Sequence, residues 1–174
     1  MLYYWLIVGL VIGLPLAVLG FLRLRVLIRA VPEEHTATSR ITLRATPEQV
    51  FPSIAEIREL PGQRVQMLPE RQGMQVARVR RGGRSWIVVR TRCEPPLLVE
   101  RTFTDEQTGA GATWLFKVRA VPAGCEVRLT ETARVPSVAH RLLLKYVFGY
   151  HKYTHARLRE LAKEFAQDAR PHRA

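Results

Sequence analysis

The sequence predicts an α+β protein in which an antiparallel sheet of about six to seven strands closes on one long C-terminal helix. Between residues 36 and 135, segments of alternating polar and apolar residues are separated by short turns rich in glycine and proline, a pattern typical of antiparallel strands. From Pro136 to about Asp168, apolar residues recur every three or four positions, which is the spacing of one helix face. The uncharged stretch 2–22 predicts one transmembrane helix before this domain.

This first stretch has the length and composition of a membrane anchor. It contains no charged side chain, and about 20 apolar residues suffice to cross a bilayer as a helix. Tyr3, Tyr4 and Trp5 lie at one end, where interfacial aromatic residues are favoured. The alternative is a cleaved signal peptide, but no Lys or Arg precedes the stretch and no small-residue cleavage site follows it. We therefore expect a retained anchor.

Basic residues follow the anchor and none precedes it. By the positive-inside tendency, Arg23, Arg25 and Arg29 predict a single-pass protein of an inner or plasma membrane, with its C-terminal domain in the cytoplasm. The linker after them is too short to let the domain move far from the bilayer. We divide the chain into an anchor (2–22), a basic juxtamembrane segment and linker (23–35), a folded domain (36–168) and a tail (169–174).

The chain is basic, with 27 Lys and Arg against 15 Asp and Glu and a net charge of +12. Such an excess favours anionic partners, either nucleic acid or acidic lipid headgroups. We expect no nucleic acid, because the aromatic residues lie on predicted inner faces and not among the cations. Neither Cys93 nor Cys125 has a C-x-x-C neighbour, and both are predicted to be reduced thiols of a cytoplasmic domain.

The strands with the clearest alternation predict which side of the sheet faces the helix. Ile41 and Leu43 share one side of the first strand, while arginines and threonines occupy the other. In a later strand, Trp114, Phe116 and Val118 alternate with Leu115, Lys117 and Arg119. The apolar side must be covered, and the C-terminal helix is the element long enough to cover it. A capping box at Thr46-Pro47-Glu48-Gln49 predicts an additional short helix after the first strand.

This order of elements is that of a helix-grip fold, and the local sequence resembles the polyketide cyclase/dehydrase branch of the START-like (SRPBCC) superfamily. The matching pieces are I-T-L-R-A-T-P-E-Q-V-F, C-E-P-P-L-L-V-E-R-T-F and A-G-C-E-V-R-L-T-E-T-A-R-V-P. The resemblance covers about residues 36–167 and rests on structural motifs, none of them catalytic. It implies a curved sheet gripping the helix, with a cavity between them for an apolar ligand such as a lipid, quinone, polyketide or hormone. The anchor departs from the simplest cytosolic members and favours a lipid-soluble ligand.

Two charged residues are candidates for the polar part of such a cavity. Glu131 lies on the apolar side of its strand, where burial would raise its pKa and let it act as an acid or base or hold a ligand's polar end. Alternatively, it reaches solvent or pairs with an arginine. Arg101 shares a side with Val99 and Phe103, so the two charges together could bind a carboxylate or phosphate. The alternative for Arg101 is an exposed position on the other face.

Tyr146 and Tyr150 lie one helical turn apart on the predicted inner face, where their hydroxyls either line a pocket or sit at the rim of a packed core. The predicted ligand-binding residues are Ile41, Leu43, Arg101, Trp114, Phe116, Val118, Leu129, Glu131, Tyr146 and Tyr150.

The opposite helix face is basic and borders Leu144 and Phe148, which we expect to point outward. Bases beside outward apolar residues favour contact with an anionic membrane, although a solvated face gives the same pattern. The predicted membrane-surface residues are Arg23, Arg25, Arg29, Arg141, Lys145, Phe148 and Lys152. His151 and His155 have a metal-site spacing, but no third ligand is evident, and we expect neither a metal nor another cofactor.

These observations favour a membrane-anchored protein that binds a hydrophobic small molecule or lipid between sheet and helix without covalent chemistry. An enzyme of the cyclase or dehydratase type, using Glu131 or a tyrosine for proton transfer, is the second hypothesis. A membrane-tethered interaction module without a ligand is the third. The oligomeric state is left open by the sequence.

Overall fold

A computed structural model describes residues 31–57 and 62–174 of the chain. The predicted anchor, 2–22, and the three arginines that follow it lie outside these residues, so membrane insertion and topology stay predictions. Within the described ranges, no helix is both long enough and apolar enough to cross a membrane.

Eight antiparallel strands form one sheet in the order β2-β3-β4-β5-β6-β7-β1-β8. The strands are β1 (Glu34–Leu43), β2 (Arg64–Arg71), β3 (Met74–Arg81), β4 (Arg84–Glu94), β5 (Leu98–Asp105), β6 (Gly111–Val121), β7 (Gly124–Arg134) and β8 (His172–Arg173). Consecutive strands are neighbours from β2 to β7, because tight turns allow only adjacent antiparallel pairing. The first strand then pairs with β7 and closes the order.

The last strand lies within the predicted tail, residues 169–174. His172 pairs with Arg40 and Arg173 pairs with Ser39, and the backbone N–H of Ala174 donates to the carbonyl oxygen of Thr38 at 3.1 Å. The sheet therefore has eight strands and not six to seven. A two-residue strand has no alternation that a sequence pattern can reveal.

The predicted inner faces are confirmed by burial. Ile41 and Leu43 on β1, Phe116 on β6, and Val127 and Leu129 on β7 are all buried. They pack with α1 (Pro47–Ala55) and α3 (Lys152–Glu164) into the main hydrophobic core. The capping box at the start of α1 is also present, since the side chains of Thr46 and Gln49 each accept from the other residue's backbone N–H.

The C-terminal helix is not continuous, which corrects the prediction of one helix over Pro136 to Asp168. It consists of α2 (Val138–Leu143), a π-helical turn (Leu144–Phe148), a break at Gly149 and then α3. Gly149 has φ +75°, a backbone conformation that favours glycine. At about 1.5 Å per residue, α3 is only about 20 Å long, and it packs on β1 and β7.

The wide π turn also rotates the side chains around it, because it adds a residue to one turn of the helix. Leu144, which we expected to face outward, is 1% exposed. Tyr146, which we expected on the inner face, is 58% exposed. Both expectations assumed an uninterrupted period of 3.6 residues and are wrong for this reason.

Buried polar contacts attach α3 to the first strand. The hydroxyl of Ser39 lies 2.8 Å from the hydroxyl of Thr154 and 3.0 Å from Nδ1 of His151. Ser39 and Thr154 are fully buried. These contacts fix the position of α3 on the sheet, because leaving one of these groups unpaired in the interior would cost about 1–3 kcal/mol.

The turn between β6 and β7 brings two strands unusually close. β7 begins at Gly124, whose φ is +131°. A Cβ atom on this residue would overlap the carbonyl oxygen of Leu43 and lie 2.9 Å from the backbone nitrogen of Ala45. Only glycine allows this approach between the end of β1 and the start of β7.

Candidate functional site

The strand register places polar side chains in one line across the inner face of the sheet. Directly paired residues of an antiparallel sheet project to the same side. Glu131 of β7 pairs with Trp114 of β6, which pairs with Arg101 of β5. Arg101 in turn pairs with Arg90 of β4, and Arg90 pairs with Gln75 of β3. We call these five residues the polar row.

The polar row carries most of the buried polar atoms that have no hydrogen-bond partner in the protein. Six such side-chain atoms occur among the residues that the structure describes. Four belong to the row: Oε2 of Glu131, Nε1 of Trp114, Nε of Arg101 and Oε1 of Gln75. Because an unpaired buried polar group costs about 1–3 kcal/mol, such a concentration in one line is unusual for a packed interior.

The row is bordered by apolar side chains on both sides. The line of paired residues on one side is Ala133, Ala112, Phe103, Val88 and Ala77. The line on the other side is Leu129, Phe116, Val99 and Cys93. With strands about 4.8 Å apart, the polar row extends over about 19 Å. The inner face therefore presents a polar line within an apolar surface, the arrangement typical of sites for apolar ligands with a few polar groups.

Glu131 and Trp114 form one end of the row. Glu131 is 4% exposed, and burial raises its pKa to about 7. The neighbouring indole N–H of Trp114 lowers the pKa of Glu131 and so partly offsets the effect of burial. The two groups do not, however, reach hydrogen-bonding geometry. Trp114 also packs against Phe103, with ring centroids 4.7 Å apart. A carboxyl group with this pKa is partly protonated at neutral pH, so it can donate as well as accept.

Arg101 and Arg90 hold the C-terminal end of α1. Arg101 Nη2 donates to the carbonyl oxygens of Ile54 and Glu56, the latter at 2.7 Å, and Arg90 Nη1 donates to Ala55 at 3.2 Å. The last carbonyl groups of a helix lack intrahelical donors, and cations are favoured at a helix C-terminus. Burial, together with neighbouring guanidinium groups, lowers the pKa of Arg101 to about 10, so it stays charged at neutral pH.

A third arginine reaches the same helix end from α3. Arg157 Nη2 donates to the carbonyl oxygen of Ser53 at 3.2 Å, and its Nη1 lies 3.4 Å from Oε1 of Glu164. Arg157 is 8% exposed. Its charge is therefore held by a helix end and a carboxylate. Sheet, α1 and α3 are thus joined around one cluster of guanidinium groups.

The predicted ligand-binding residues fall into three groups. Arg101, Trp114 and Glu131 lie together in the polar row. The apolar candidates Ile41, Leu43, Phe116, Val118 and Leu129 are buried in the main core. Of the two tyrosines, Tyr150 is half-buried and stacks on His35 at 4.5 Å, whereas Tyr146 is exposed and does not face the row. Ligand contact by these residues stays a prediction.

Sequence reasoning missed Arg90 and Gln75. Their inward position can be read from alternation, because Arg90 lies two residues from the buried Val88, and Gln75 lies two residues from the buried Ala77. Alternation within one strand cannot show that these two residues align with Glu131, because the alignment depends on the register of five strands.

Two cavities of the structure lie away from the polar row. One of about 400 Å³ lies between the end of α3 and the C-terminal segment, beside Lys163 and Arg170. The other, of about 350 Å³, lies beside Leu97 and Lys117. Both cysteines are unpaired, with Cys93 exposed and Cys125 buried.

Several solved structures share this fold. Ara h 8.0201 superimposes with a TM-score of 0.55 at 11% identity, over 75% of this chain and 93% of the other. Protein MLL2253 from Mesorhizobium loti gives a TM-score of 0.56 at 13% identity, with 76% and 96% covered. The AHSA1 (SPO3351) protein from Silicibacter pomeroyi gives 0.51 at 21% identity, with 76% and 98% covered. No protein-family model matches the sequence, and no curated protein matches it.

These similarities confirm the predicted class of fold. An antiparallel sheet with a C-terminal helix against its inner face is the helix-grip fold, which these solved structures share. At identities of 11% to 21%, the likeness establishes the fold and carries no information about a ligand or a reaction.

Proposed function

We propose that this protein binds a hydrophobic small molecule or lipid on the inner face of its sheet, with the polar row holding the ligand's polar group. The observation that supports this most directly is the line of four buried polar atoms without partners, set between two apolar lines. A ligand that pairs with these atoms would remove the cost of leaving them unpaired. Because these four atoms are buried, contact with a ligand requires local opening of the structure.

The chemistry of the row indicates the polar group of the ligand. Trp114 Nε1 and Arg101 Nε are both donors and lie on directly paired residues of β6 and β5. Oxygen acceptors, such as those of a carbonyl or a carboxylate, satisfy both. The apolar lines on either side then bury the rest of the molecule, at about 25 cal/mol per Å² of apolar surface. Fatty acids and quinones meet this description.

Binding can be tested on the full chain extracted in mild detergent. Native mass spectrometry should show a co-purified molecule, and a fluorescent polyene fatty acid should bind more tightly than its methyl ester. Trp114→Phe keeps the aromatic ring and removes the N–H, so it should weaken binding about five- to tenfold, the value of one hydrogen bond. Trp86→Phe is the matched control, because Trp86 lies on β4 outside the row. Absence of both co-purified molecule and probe binding would contradict the proposal, as would equal losses in the two variants.

A second candidate function is proton transfer catalysis by Glu131. A buried carboxyl with a pKa of about 7 has the proton affinity that a general acid or base needs at neutral pH. The co-purified molecule distinguishes the two functions. Chemical change of that molecule during incubation with the protein, lost in Glu131→Gln, would support catalysis, whereas its unchanged recovery supports binding alone.

We also propose that residues 2–22 anchor the domain in an inner or plasma membrane, with the domain on the cytoplasmic side. This rests on the uncharged stretch and the arginines Arg23, Arg25 and Arg29. In sealed inside-out vesicles, protease should remove the domain, and in right-side-out vesicles the domain should be protected. The reverse pattern would overturn the orientation, and release of the intact chain by high salt would overturn the anchor.

A further inference from the structure

The broken C-terminal helix exposes a concentrated apolar surface. Within the residues that the structure describes, seven large hydrophobic side chains are exposed. Five of them lie between positions 143 and 153: Leu143, Tyr146, Val147, Phe148 and Tyr153, with exposed fractions of 40% to 66%. We call these five residues the aromatic patch. Large exposed apolar patches are uncommon on monomeric proteins and usually mark a contact surface.

Cationic side chains lie directly over this patch. Lys152 Nζ is 3.7 Å from the ring centroid of Phe148 and 5.8 Å from that of Tyr153. Lys145 Nζ is 5.3 Å from the ring centroid of Tyr146. Aromatic rings beside lysine ammonium groups are typical of a surface at the boundary between water and lipid, where the ring enters the interface and the charge stays at headgroup level.

The charge of the surrounding segment has one sign. No Asp or Glu occurs between Glu131 and Glu160, whereas several Lys and Arg do. An anionic surface is therefore complementary to the patch along its whole length. A second copy of this chain presents the same positive segment, so pairing of two patches would bring like charges together.

We propose that the aromatic patch docks on an anionic lipid bilayer. This inference goes beyond ligand binding and does not require it, and it concerns a part of the chain distant in sequence from the proposed anchor. Val147, at 66% the most exposed of the five, enters the interface together with Phe148, while Lys145 and Lys152 contact lipid phosphates. The domain then lies against the membrane with the break at Gly149 facing the lipid.

The test uses the full chain in lipid nanodiscs made of phosphatidylcholine, with or without phosphatidylglycerol. Val147→Cys, in a Cys93→Ser background, carries an environment-sensitive fluorophore; Cys125 is fully buried and should not react. We expect brominated acyl chains to quench the probe strongly when phosphatidylglycerol is present and weakly when it is absent. Leu97→Cys is the matched control, because Leu97 is 55% exposed and lies outside the patch. Its probe should report water in both lipids.

Substitution of the two lysines tests whether the patch binds the lipid or is only held near it by the proposed anchor. The double variant Lys145→Gln/Lys152→Gln should lower the docking equilibrium constant about thirtyfold, since each basic residue near an anionic surface contributes about fivefold. Circular dichroism checks that the variants fold. Equal quenching at positions 147 and 97, or equal quenching in the two lipids, would overturn the proposal. So would shielding of the probe in detergent that increases with protein concentration, which would indicate contact between two copies.

Discussion

Gly124→Ala should destabilise the fold by about 4 kcal/mol, near the upper end of what single substitutions do. The added methyl group would overlap the carbonyl oxygen of Leu43 and approach the backbone of Ala45, neither of which is a flexible side-chain end. The φ of +131° adds strain for any residue with a side chain. Urea unfolding of the full chain in mild detergent, followed by tryptophan fluorescence, measures the free energy of unfolding.

A Gly→Ala substitution at another turn shows how much of the loss at Gly124 comes from steric overlap and how much from backbone strain. Gly82, between β3 and β4, has φ +55°, but a Cβ atom there would meet nothing within 4 Å. Gly82→Ala should therefore cost only about 1 kcal/mol. Similar losses for the two variants would show that the close approach of β1 and β7 does not constrain the fold.

Glu131→Gln should make the protein more stable at pH 8 than the unsubstituted chain, by an amount that increases with pH. Burial raises the pKa of Glu131 from 4.5 to about 7. Between these values the unfolded chain has released its proton while the folded chain keeps it, so rising pH opposes folding. The unsubstituted protein should lose about 3 kcal/mol relative to the variant between pH 4.5 and pH 8.

Urea unfolding of both proteins across this pH range checks the prediction, because any constant cost of the amide cancels in the change with pH. Glu126→Gln is the control, and it should lower the free energy of unfolding at neutral pH. On the outer face, Glu126 lies 3.2 Å from Arg119 and 3.5 Å from Arg40, so losing its charge should destabilise the protein. A stability difference between Glu131→Gln and the unsubstituted protein that does not vary with pH would mean that Glu131 ionises normally in the folded state.

The inner face of the sheet could be predicted because it depends on local alternation. Trp114 and Phe116 occupy alternate positions of β6, and Leu129 lies between polar neighbours on β7; each faces inward as expected. The position of Glu131 on this face followed in the same way. That its Oε2 has no hydrogen-bond partner could not be predicted, because this depends on which side chains the neighbouring strands bring beside it.

The C-terminal segment shows where periodicity stops being informative. The apolar spacing of Leu142, Tyr146 and Tyr150 predicts one straight helix face. The backbone instead widens into a π turn and breaks at Gly149, so Tyr146 is exposed. Tertiary packing favours the broken helix, because it positions the parts before and after Gly149 separately. Leu144 is buried in the first part, and in the second part Thr154 and His151 lie within hydrogen-bonding distance of Ser39.

The short strand at the C-terminus has a consequence for how the domain behaves at high concentration. An outer strand of a sheet presents unpaired main-chain groups that can template the addition of another chain, and this is a common route to aggregation. On the open side of β1, the pairing of His172 and Arg173 with Arg40 and Ser39 occupies such groups near the middle of the strand. His172 and Arg173 thus hinder intermolecular sheet growth along this side of β1.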